Sequence, residues 1–160
     1  MEIVLFEPEI PPNTGNIARL CGATNTVLHL IEPLGFKLDD KYLKRAGLDY
    51  WPHVQKYVWA DFESYLREAG QGKRLVMTSS KGGTPMHQFD FSDDDALIFG
   101  PESRGLPQDM FEHSPHRVRI PIRGVVRSLN LSTAVGIVLY AALAHCQQLD
   151  AWCTPEHIHH

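Results

Sequence analysis

Isolated polar residues lie in or just after loops that follow predicted strands. Their side chains are amides, a carboxylate, a hydroxyl and guanidinium groups: Asn13, Asn16, Arg19, Glu102, Arg104, Arg127, Ser128 and Asn130. Each has a structural explanation of its own, such as a helix cap for Asn13 or an ion pair between Glu102 and Arg104. The carboxyl ends of parallel strands, however, meet at one edge of a sheet, where ligands bind. Their joint position therefore favours a single polar site at that edge.

These loops do not match the common nucleotide or hydrolase motifs. Neither G-x-G-x-x-G after a strand nor G-x-x-x-x-G-K-[ST] occurs in the sequence. The segment SSKGG at 79–83 is a weak phosphate cradle and is better explained as a tight turn. No G-x-S-x-G elbow surrounds Ser128, so a serine hydrolase is poorly supported. The cysteines are odd in number and lack C-x-x-C spacing, so the sequence indicates neither a disulfide framework nor a zinc site.

Compact apolar runs alternate with helical segments along the whole chain. Strands are predicted at residues 2–6, 27–31, 54–58, 74–78, 95–99 and 118–120. Helices are predicted after a cap at Asn13 or Thr14, after Asp39, after Asp61, after Pro107, and after Asn130 or Ser132. Continuous apolar strands that alternate with helices are typical of a parallel sheet with helices on both faces. His29, inside the second strand, is interpreted as a packed histidine rather than a ligand.

The last predicted helix, residues 130–148, is apolar almost all round. A helix without a polar face is buried in its own chain or covered by a partner chain. A membrane span is the rival explanation, but the unbroken apolar run at 134–144 is well short of the ~20 residues that a span needs. The sequence therefore predicts a buried helix that begins directly after a loop bearing Arg123, Arg127, Ser128 and Asn130.

Length and composition indicate one α/β domain over residues 1–153. The chain has 160 residues and a net charge of -4. This charge argues against nucleic-acid binding over the whole surface, but it is compatible with a local basic patch. The acidic N-terminus is not a signal peptide, so a cytoplasmic protein is predicted. Residues 154–160, rich in histidine, are interpreted as a disordered tail rather than a metal site.

Three ordered motifs resemble those of SPOUT-class RNA 2'-O-methyltransferases. They are NTGNIAR at 13–19, FGPESRGL at 99–106, and RIP at 119–121 together with RSLNLS at 127–132. The sequence is most similar to the small single-domain members, of the TrmL type, that methylate the wobble ribose of tRNA. The resemblance spans about residues 3–140. Gly-Val-Val before Arg127, and Gly83 after Gly82, depart from the subfamily pattern.

The resemblance implies a cofactor, a fold and an assembly. The cofactor is S-adenosylmethionine without a metal, the fold carries a deep C-terminal trefoil knot, and the assembly is a homodimer. The cofactor pocket implied by the motifs is lined by Thr78, Gly100, Gly105, Ile120, Ser128 and Leu129, with Leu106 close by. The implied partner is tRNA, at its anticodon stem-loop. Candidates for contacts to RNA phosphates are Lys37, Lys41, Lys44, Arg45, Arg104, Arg123 and Arg127.

The family assigns the activating role to the motif arginine, here Arg19. A guanidinium has a pKa above ~12 and is a poor general base. We therefore expect Arg19 to orient the ribose hydroxyl and to stabilise the developing alkoxide, with an RNA phosphate as a candidate proton acceptor. Asn16 and Asn130 would hold Arg19 or the ribose, and Glu102 would position Arg19, Arg104 or the ligand. The alternatives are a methyltransferase that acts on rRNA and an RNA-binding module without catalysis.

Overall fold

The computed structural model describes residues 1–153, with the backbone only at 47–49. The strands are β1 (Glu2–Phe6), β2 (Val27–Ile31), β3 (Lys56–Trp59), β4 (Arg74–Thr78), β5 (Thr84–Pro85), β6 (Asp95–Phe99) and β7 (Arg117–Arg119). The helices are α1 (Pro11–Thr24), α2 (Lys41–Gly47), α3 (Phe62–Glu68) and α4 (Leu131–His145). Short 3-10 helices occupy Leu48–His53, Met86–Gln88, Gln108–His113 and Leu149–Cys153.

The strands form one seven-stranded sheet in the order β3-β2-β1-β6-β4-β7-β5. Neighbouring strands are paired in parallel throughout the sheet. The predicted α/β class with a parallel sheet is therefore confirmed. Because the strands run in one direction, the loops that follow β1, β4, β6 and β7 leave the sheet at the same edge.

Apolar side chains on both faces of the strands build a core on each side of the sheet. In β1, Ile3 and Leu5 join one cluster, whereas Val4 and Phe6 join the other, as the two-residue period of a strand requires. Helices α1 and α4 cover the first face, and α3 with the 3-10 helix at Gln108–His113 covers the second. This arrangement explains why the strands are continuous apolar runs, and it confirms the prediction of helices on both faces.

Helix starts differ from the predictions at α1 and α2. Neither Asn13 nor Thr14 caps α1, which begins at Pro11 after Ile10, because a proline suits the first helical position. Asp40, rather than Asp39, caps α2: its Oδ1 accepts from the backbone N–H of Tyr42 at 2.7 Å. The caps predicted at Asp61 and Asn130 are confirmed.

The ends of some elements also differ from the predicted bounds by a few residues. The third strand covers Lys56–Trp59 because the backbone N–H of Val54 donates to Tyr50 O at 3.2 Å and so belongs to the preceding helical turn. Helix α4 ends at His145, and Gln147 then adopts a left-handed φ of 58° that the helix cannot continue through. The segment at 79–83 is a turn, as predicted, and Gly82 and Gly83 there have positive φ.

Helix α4 is buried mainly by its own chain. Its buried side chains are Val135, Val138, Leu139, Ala142 and Leu143. Tyr140 lies on the outer side with 43 % of its surface exposed. Over residues 1–153, none of the helices combines the length and the apolar character that crossing a bilayer requires. The histidine-rich end at 154–160 lies outside the described residues, and the knot stays a prediction.

Candidate active site

Glu102 ties the loop after β6 to the start of α1. Its carboxylate accepts from the backbone N–H of Glu9 at 2.8 Å, from that of Ile10 at 3.0 Å, and from Nδ2 of Asn13 at 3.3 Å. N–H groups at a helix start lack intrahelical partners and carry partial positive charge, so a carboxylate is stabilised there. The considered ion pair between Glu102 and Arg104 is not formed. Glu102 positions the start of the helix that carries Arg19, not the guanidinium itself.

Asn130 joins the start of α4 to the same cluster. Its Nδ2 donates to Oδ1 of Asn13 at 3.0 Å, while its own Oδ1 accepts from the backbone N–H of Ser132 at 2.9 Å and from the Ser132 hydroxyl at 2.6 Å. Asn130 thus caps α4 and holds Asn13 at the same time. Glu102, Asn13 and Asn130 therefore form one chain of hydrogen bonds, as their joint position in sequence suggested.

Two further contacts link the loops after β1 and β6. The Glu9 carboxylate accepts from the backbone N–H of Ser103 at 2.9 Å and from its hydroxyl at 2.7 Å, and these bonds hold the pKa of Glu9 below its usual value. Arg104 forms an ion pair with Glu7. Glu7 and Glu9 are not among the site residues predicted from the sequence. Their position directly after a buried strand is the signal that would have pointed to them.

The loop from Gly100 to Leu106 turns back tightly on itself. A Cβ atom at Gly100 would lie 2.2 Å from the backbone nitrogen of Leu106 and 2.3 Å from the carbonyl carbon of Gly105, so no other residue fits there without a backbone shift. Gly105 has a φ of 67°, and its N–H donates to Pro101 O at 2.9 Å. Both glycines are therefore dictated by backbone geometry.

Arg19 and Asn16 lie on the exposed side of α1. Arg19 is six residues beyond Asn13, which places it about 9 Å further along the helix axis. Its guanidinium carbon is 5.5 Å from the ring centroid of Tyr50. Among the described residues, the structure shows no hydrogen bond from Asn16 to Arg19. The predicted contacts of Asn16, Asn130 and Glu102 with Arg19 are thus not formed. Asn130 and Glu102 hold Asn13 instead.

The sequence profile of the SpoU rRNA Methylase family matches residues 1–140, a span that includes α1, the loop after β6 and the start of α4. The chain belongs to the SpoU methylase family. A tRNA (cytidine(34)-2'-O)-methyltransferase from Aeromonas hydrophila is 51 % identical over 142 residues, which are 88 % of this chain and 90 % of the relative. A protein of the same name from Escherichia coli K12 is 49 % identical over 145 residues, which are 89 % and 91 % of the two chains.

Solved structures agree with this membership of the SpoU family. One, from work on the 2-OH methylation of C/U34 on tRNA, aligns with a TM-score of 0.86 and 45 % identity and covers 94 % of this chain and 96 % of that one. An AdoMet-bound rRNA methyltransferase from Sinorhizobium meliloti aligns with a TM-score of 0.82 and 25 % identity, over 90 % of this chain and 56 % of that one.

The other residues predicted to line the cofactor pocket lie at the ends of β4 and β7, in the loop after β6 or in the loop before α4. Thr78 ends β4, and its hydroxyl donates to Ile98 O in the neighbouring strand at 2.8 Å. Ile120 is half-buried and packs against the core, Leu129 is half-buried, and Ser128 is exposed. A Cβ at Gly105 would meet no atom within 4 Å, so the backbone there borders open space. Exposed backbone beside apolar side chains fits the adenosine part of S-adenosylmethionine.

Basic side chains lie next to α1 and in the loop before α4. Lys41, Lys44 and Arg45 are exposed on α2, which packs against α1. Lys37, Arg123 and Arg127 are also exposed, whereas Arg104 is paired with Glu7. The exposed cations of α2 therefore lie beside the helix that carries Arg19, although the whole chain is acidic. Such a local cluster can attract phosphate groups despite a net charge of -4.

Proposed function

We propose that the protein transfers a methyl group from S-adenosylmethionine to the ribose 2'-hydroxyl of C34 or U34, the wobble nucleotide of tRNA. The observation that carries this proposal is the 51 % identity to a tRNA (cytidine(34)-2'-O)-methyltransferase over 90 % of that relative's length. The span matched by the family includes Arg19, Glu102 and Asn130, the residues to which we assign roles in the reaction. We further propose one domain over residues 1–153, a homodimer and a cytoplasmic location.

Arg19 is the residue that we propose to act on the ribose hydroxyl. When bound, S-adenosylmethionine supplies a methyl group on a positively charged sulfur, which makes this carbon electrophilic. The chain then has to align the hydroxyl and to stabilise the negative charge that develops on its oxygen. The Arg19 guanidinium can do both, but a guanidinium has only donors and cannot take the proton of the hydroxyl. A phosphate of the RNA is the proposed proton acceptor.

The hydrogen-bonded chain of Glu102, Asn13 and Asn130 supports this role at a distance. It fixes the start of α1 against the loop after β6 and against the start of α4. Arg19 therefore has a defined position relative to the two loops that we assign to the cofactor. Positioning of this kind matters because an error of about 1 Å in the reacting geometry can cost 10²-fold in rate.

We assign the cofactor to the residues named in the motifs: Thr78, Gly100, Gly105, Ile120, Ser128 and Leu129. The Thr78 hydroxyl can only accept a hydrogen bond from the cofactor, since its proton is already donated to Ile98 O. For RNA phosphates we propose Lys41, Lys44, Arg45, Arg104 and Arg127. Arg104 would have to exchange the Glu7 carboxylate for a phosphate, whereas the side chains on α2 are exposed.

Methylation of rRNA is the second candidate function. It is favoured by the structural likeness to the rRNA methyltransferase of Sinorhizobium meliloti. The identity to that protein is 25 %, against 45 % to the structure from work on C/U34. The tRNA substrate is therefore the better-supported proposal.

Labelled methyl transfer distinguishes these functions. The purified protein is incubated with labelled S-adenosylmethionine and with tRNA from a strain that lacks wobble-ribose methylation, with fully modified tRNA, or with rRNA. We expect label only in the undermethylated tRNA, at the ribose of nucleotide 34 after nucleoside mapping. Ser128→Trp should abolish cofactor binding in calorimetry and, with it, transfer. Label at a base, at another nucleotide or in rRNA would refute the proposal.

A further inference from the structure

Tyr50 is an exposed aromatic residue whose ring faces the guanidinium of Arg19. The distance from the Arg19 guanidinium carbon to the ring centroid is 5.5 Å, within the range of a cation–π interaction. Tyr50 leaves 46 % of its surface exposed, although a phenol ring of this size is usually more buried. Among the residues whose side chains the structure describes, which exclude 47–49, none forms a hydrogen bond or an ion pair with the Arg19 side chain. The Tyr50 ring is a contact that the structure does provide for this guanidinium.

The backbone that carries Tyr50 is anchored in the core. Tyr50 lies in the 3-10 helix at Leu48–His53, and its carbonyl accepts from the N–H of Val54 at 3.2 Å. Val54 is buried in the core beneath α1. The next residue, Trp51, accepts a hydrogen bond at its carbonyl from Nζ of Lys56 at 2.7 Å. The ring of Tyr50 is therefore presented from a fixed segment.

Gly22 marks the place where this segment packs against α1. A Cβ at Gly22 would lie 3.4 Å from Cγ2 of Val54 and 3.9 Å from Cβ of Tyr50, which are ordinary van der Waals distances. The glycine stands one turn of α1 beyond Arg19, on the side that faces the 3-10 helix. Tyr50 therefore lies against the same side of α1 as Arg19, and its ring reaches the Arg19 side chain.

We propose that Tyr50 is a positioning residue for Arg19, an inference that rests on the proposed function of Arg19 in methyl transfer. An arginine on an exposed helix face samples many rotamers, which disperses its guanidinium away from any single orientation. A flat ring beneath the guanidinium restricts it to planes parallel to the ring. Tyr50 thereby holds the donor groups of Arg19 ready for the ribose hydroxyl, and it acts on the reaction through Arg19 alone.

Exchange of the ring separates this role from simple packing. Tyr50→Leu keeps an apolar side chain but removes the π face, and it should lower kcat by about two- to five-fold, the factor that an exposed cation–π contact provides, with KM unchanged. Tyr50→Phe keeps the ring and should retain the wild-type kcat. Tyr57→Leu is the matched control, because Tyr57 is 44 % exposed and lies on the edge strand β3, where its ring stacks on His29. It should leave kcat and KM unchanged.

A double-mutant cycle and a spectroscopic readout complete the test. In the Arg19→Ala background, Tyr50→Leu should cause no further loss of kcat, because the coupling partner is gone. In NMR spectra of the wild-type protein, the Nε–H resonance of Arg19 should be shifted by the ring current, a shift that Tyr50→Phe keeps and Tyr50→Leu removes. Equal losses of kcat in both backgrounds, or a resonance that Tyr50→Leu leaves in place, would overturn the inference. If the wild-type protein transferred no methyl group to RNA, the proposed function would fail while the NMR result still decided the contact.

Discussion

At the scale of single residues, Arg19 has to act through orientation. A guanidinium offers only hydrogen-bond donors and cannot accept the proton of a ribose hydroxyl. Its side chain is exposed on α1, with the Tyr50 ring at 5.5 Å, whereas the polar cluster of Glu102, Asn13 and Asn130 lies about 9 Å further back along the helix. The exposed guanidinium is available to a substrate, and the cluster supports only its backbone.

Arg19→Ala should reduce methyl transfer to a small residual kcat while leaving cofactor binding intact. Removing a donor that stabilises charge in a transition state costs about 100-fold or more in kcat. Arg19→Lys should restore little activity, because a point ammonium does not reproduce the planar guanidinium. The measurements are calorimetry with S-adenosylhomocysteine and transfer of labelled methyl groups to undermethylated tRNA. Wild-type turnover by Arg19→Ala would exclude the catalytic assignment.

Glu2 is a buried carboxylate whose charge is stabilised by hydrogen bonds on the face of the sheet opposite α1. It accepts from the Tyr65 hydroxyl at 2.7 Å, lies 3.4 Å from Nε2 of His29 and 3.7 Å from Nζ of Lys73. Trp59 donates to Nδ1 of His29 at 3.0 Å, which leaves Nε2 to donate towards Glu2. Burial raises the pKa of Glu2, but the neighbouring His29 ring, the hydrogen bond from Tyr65 and the nearby Lys73 together outweigh burial, and the pKa lies below its ordinary value of 4.5.

Glu2→Gln should reduce stability at neutral pH more than in acid. The folded-state pKa of Glu2 is depressed, so its contribution is fully present above its ordinary value of 4.5 and is lost as the pH falls through the folded-state value. The difference in free energy of unfolding between wild type and Glu2→Gln, measured with urea at several pH values, should therefore shrink below pH 4.5. Glu68→Gln, at an exposed ion pair with Arg67, is the control and should show almost no difference. A constant difference across this range would contradict the prediction.

At the scale of elements, the loop after β6 has a tight backbone path that leaves no room for a side chain at Gly100. Gly100 allows the chain to fold back onto Gly105 and Leu106, and Glu102 then reaches the start of α1. The same loop holds Ser103 against Glu9. A change at Gly100 should thus disturb both the proposed cofactor loop and the position of α1.

Gly100→Ala should destabilise the protein and weaken cofactor binding together. The added Cβ would lie 2.2 Å from a backbone nitrogen, a clash that only a shift of the loop can relieve, at about 3 kcal/mol. Gly124→Ala is the matched control, because a Cβ there meets no atom within 4 Å, and it should change stability by less than about 0.5 kcal/mol. Thermal or urea unfolding gives the stability, and calorimetry gives the cofactor affinity. Equal stability of the two variants would show that the loop tolerates a side chain at position 100.

At the scale of the whole molecule, α4 has two different sides. Val138 and Leu139 are buried against the sheet, so a charge at either position would disrupt the core of the chain rather than a contact between chains. Tyr140 is 43 % exposed, and the half-buried Ile137 and Ala141 lie one turn or less away. This outer side is short of charged residues, and we propose that it meets the same side of a second copy.

Tyr140→Glu should therefore convert the proposed homodimer to a monomer. Sedimentation at micromolar concentration is expected to give twice 18.1 kDa for the wild type and 18.1 kDa for the variant. A charge left unpaired in an apolar contact costs several kcal/mol, which is enough to separate the subunits. Tyr57→Glu, at an exposed position of β3, serves as the control and should keep the dimer. A wild-type protein that sediments as a monomer would refute the assembly.

The sequence by itself determined the sheet class and most of the strands. Runs such as 95–99 are apolar over their whole length, and such a run is stable only where helices cover both faces. The caps at Asp61 and Asn130 could also be predicted, because a cap is a contact between residues two or three positions apart. The motifs themselves pointed to the family, since their order and spacing can be read directly from the amino-acid sequence.

Only the tertiary structure decided which polar groups meet. Asn13 was predicted to cap its own helix, but its side chain bonds to Glu102, 89 residues away, and to Asn130, 117 residues away. Glu102 was expected to position Arg19, Arg104 or the ligand; in the structure it contacts neither arginine and accepts from the backbone of Glu9 and Ile10. The energies of these alternatives are similar for any single side chain, so no local pattern determines which partner it bonds to. The parallel sheet determines the partner, because it brings the carboxyl ends of distant strands to one edge.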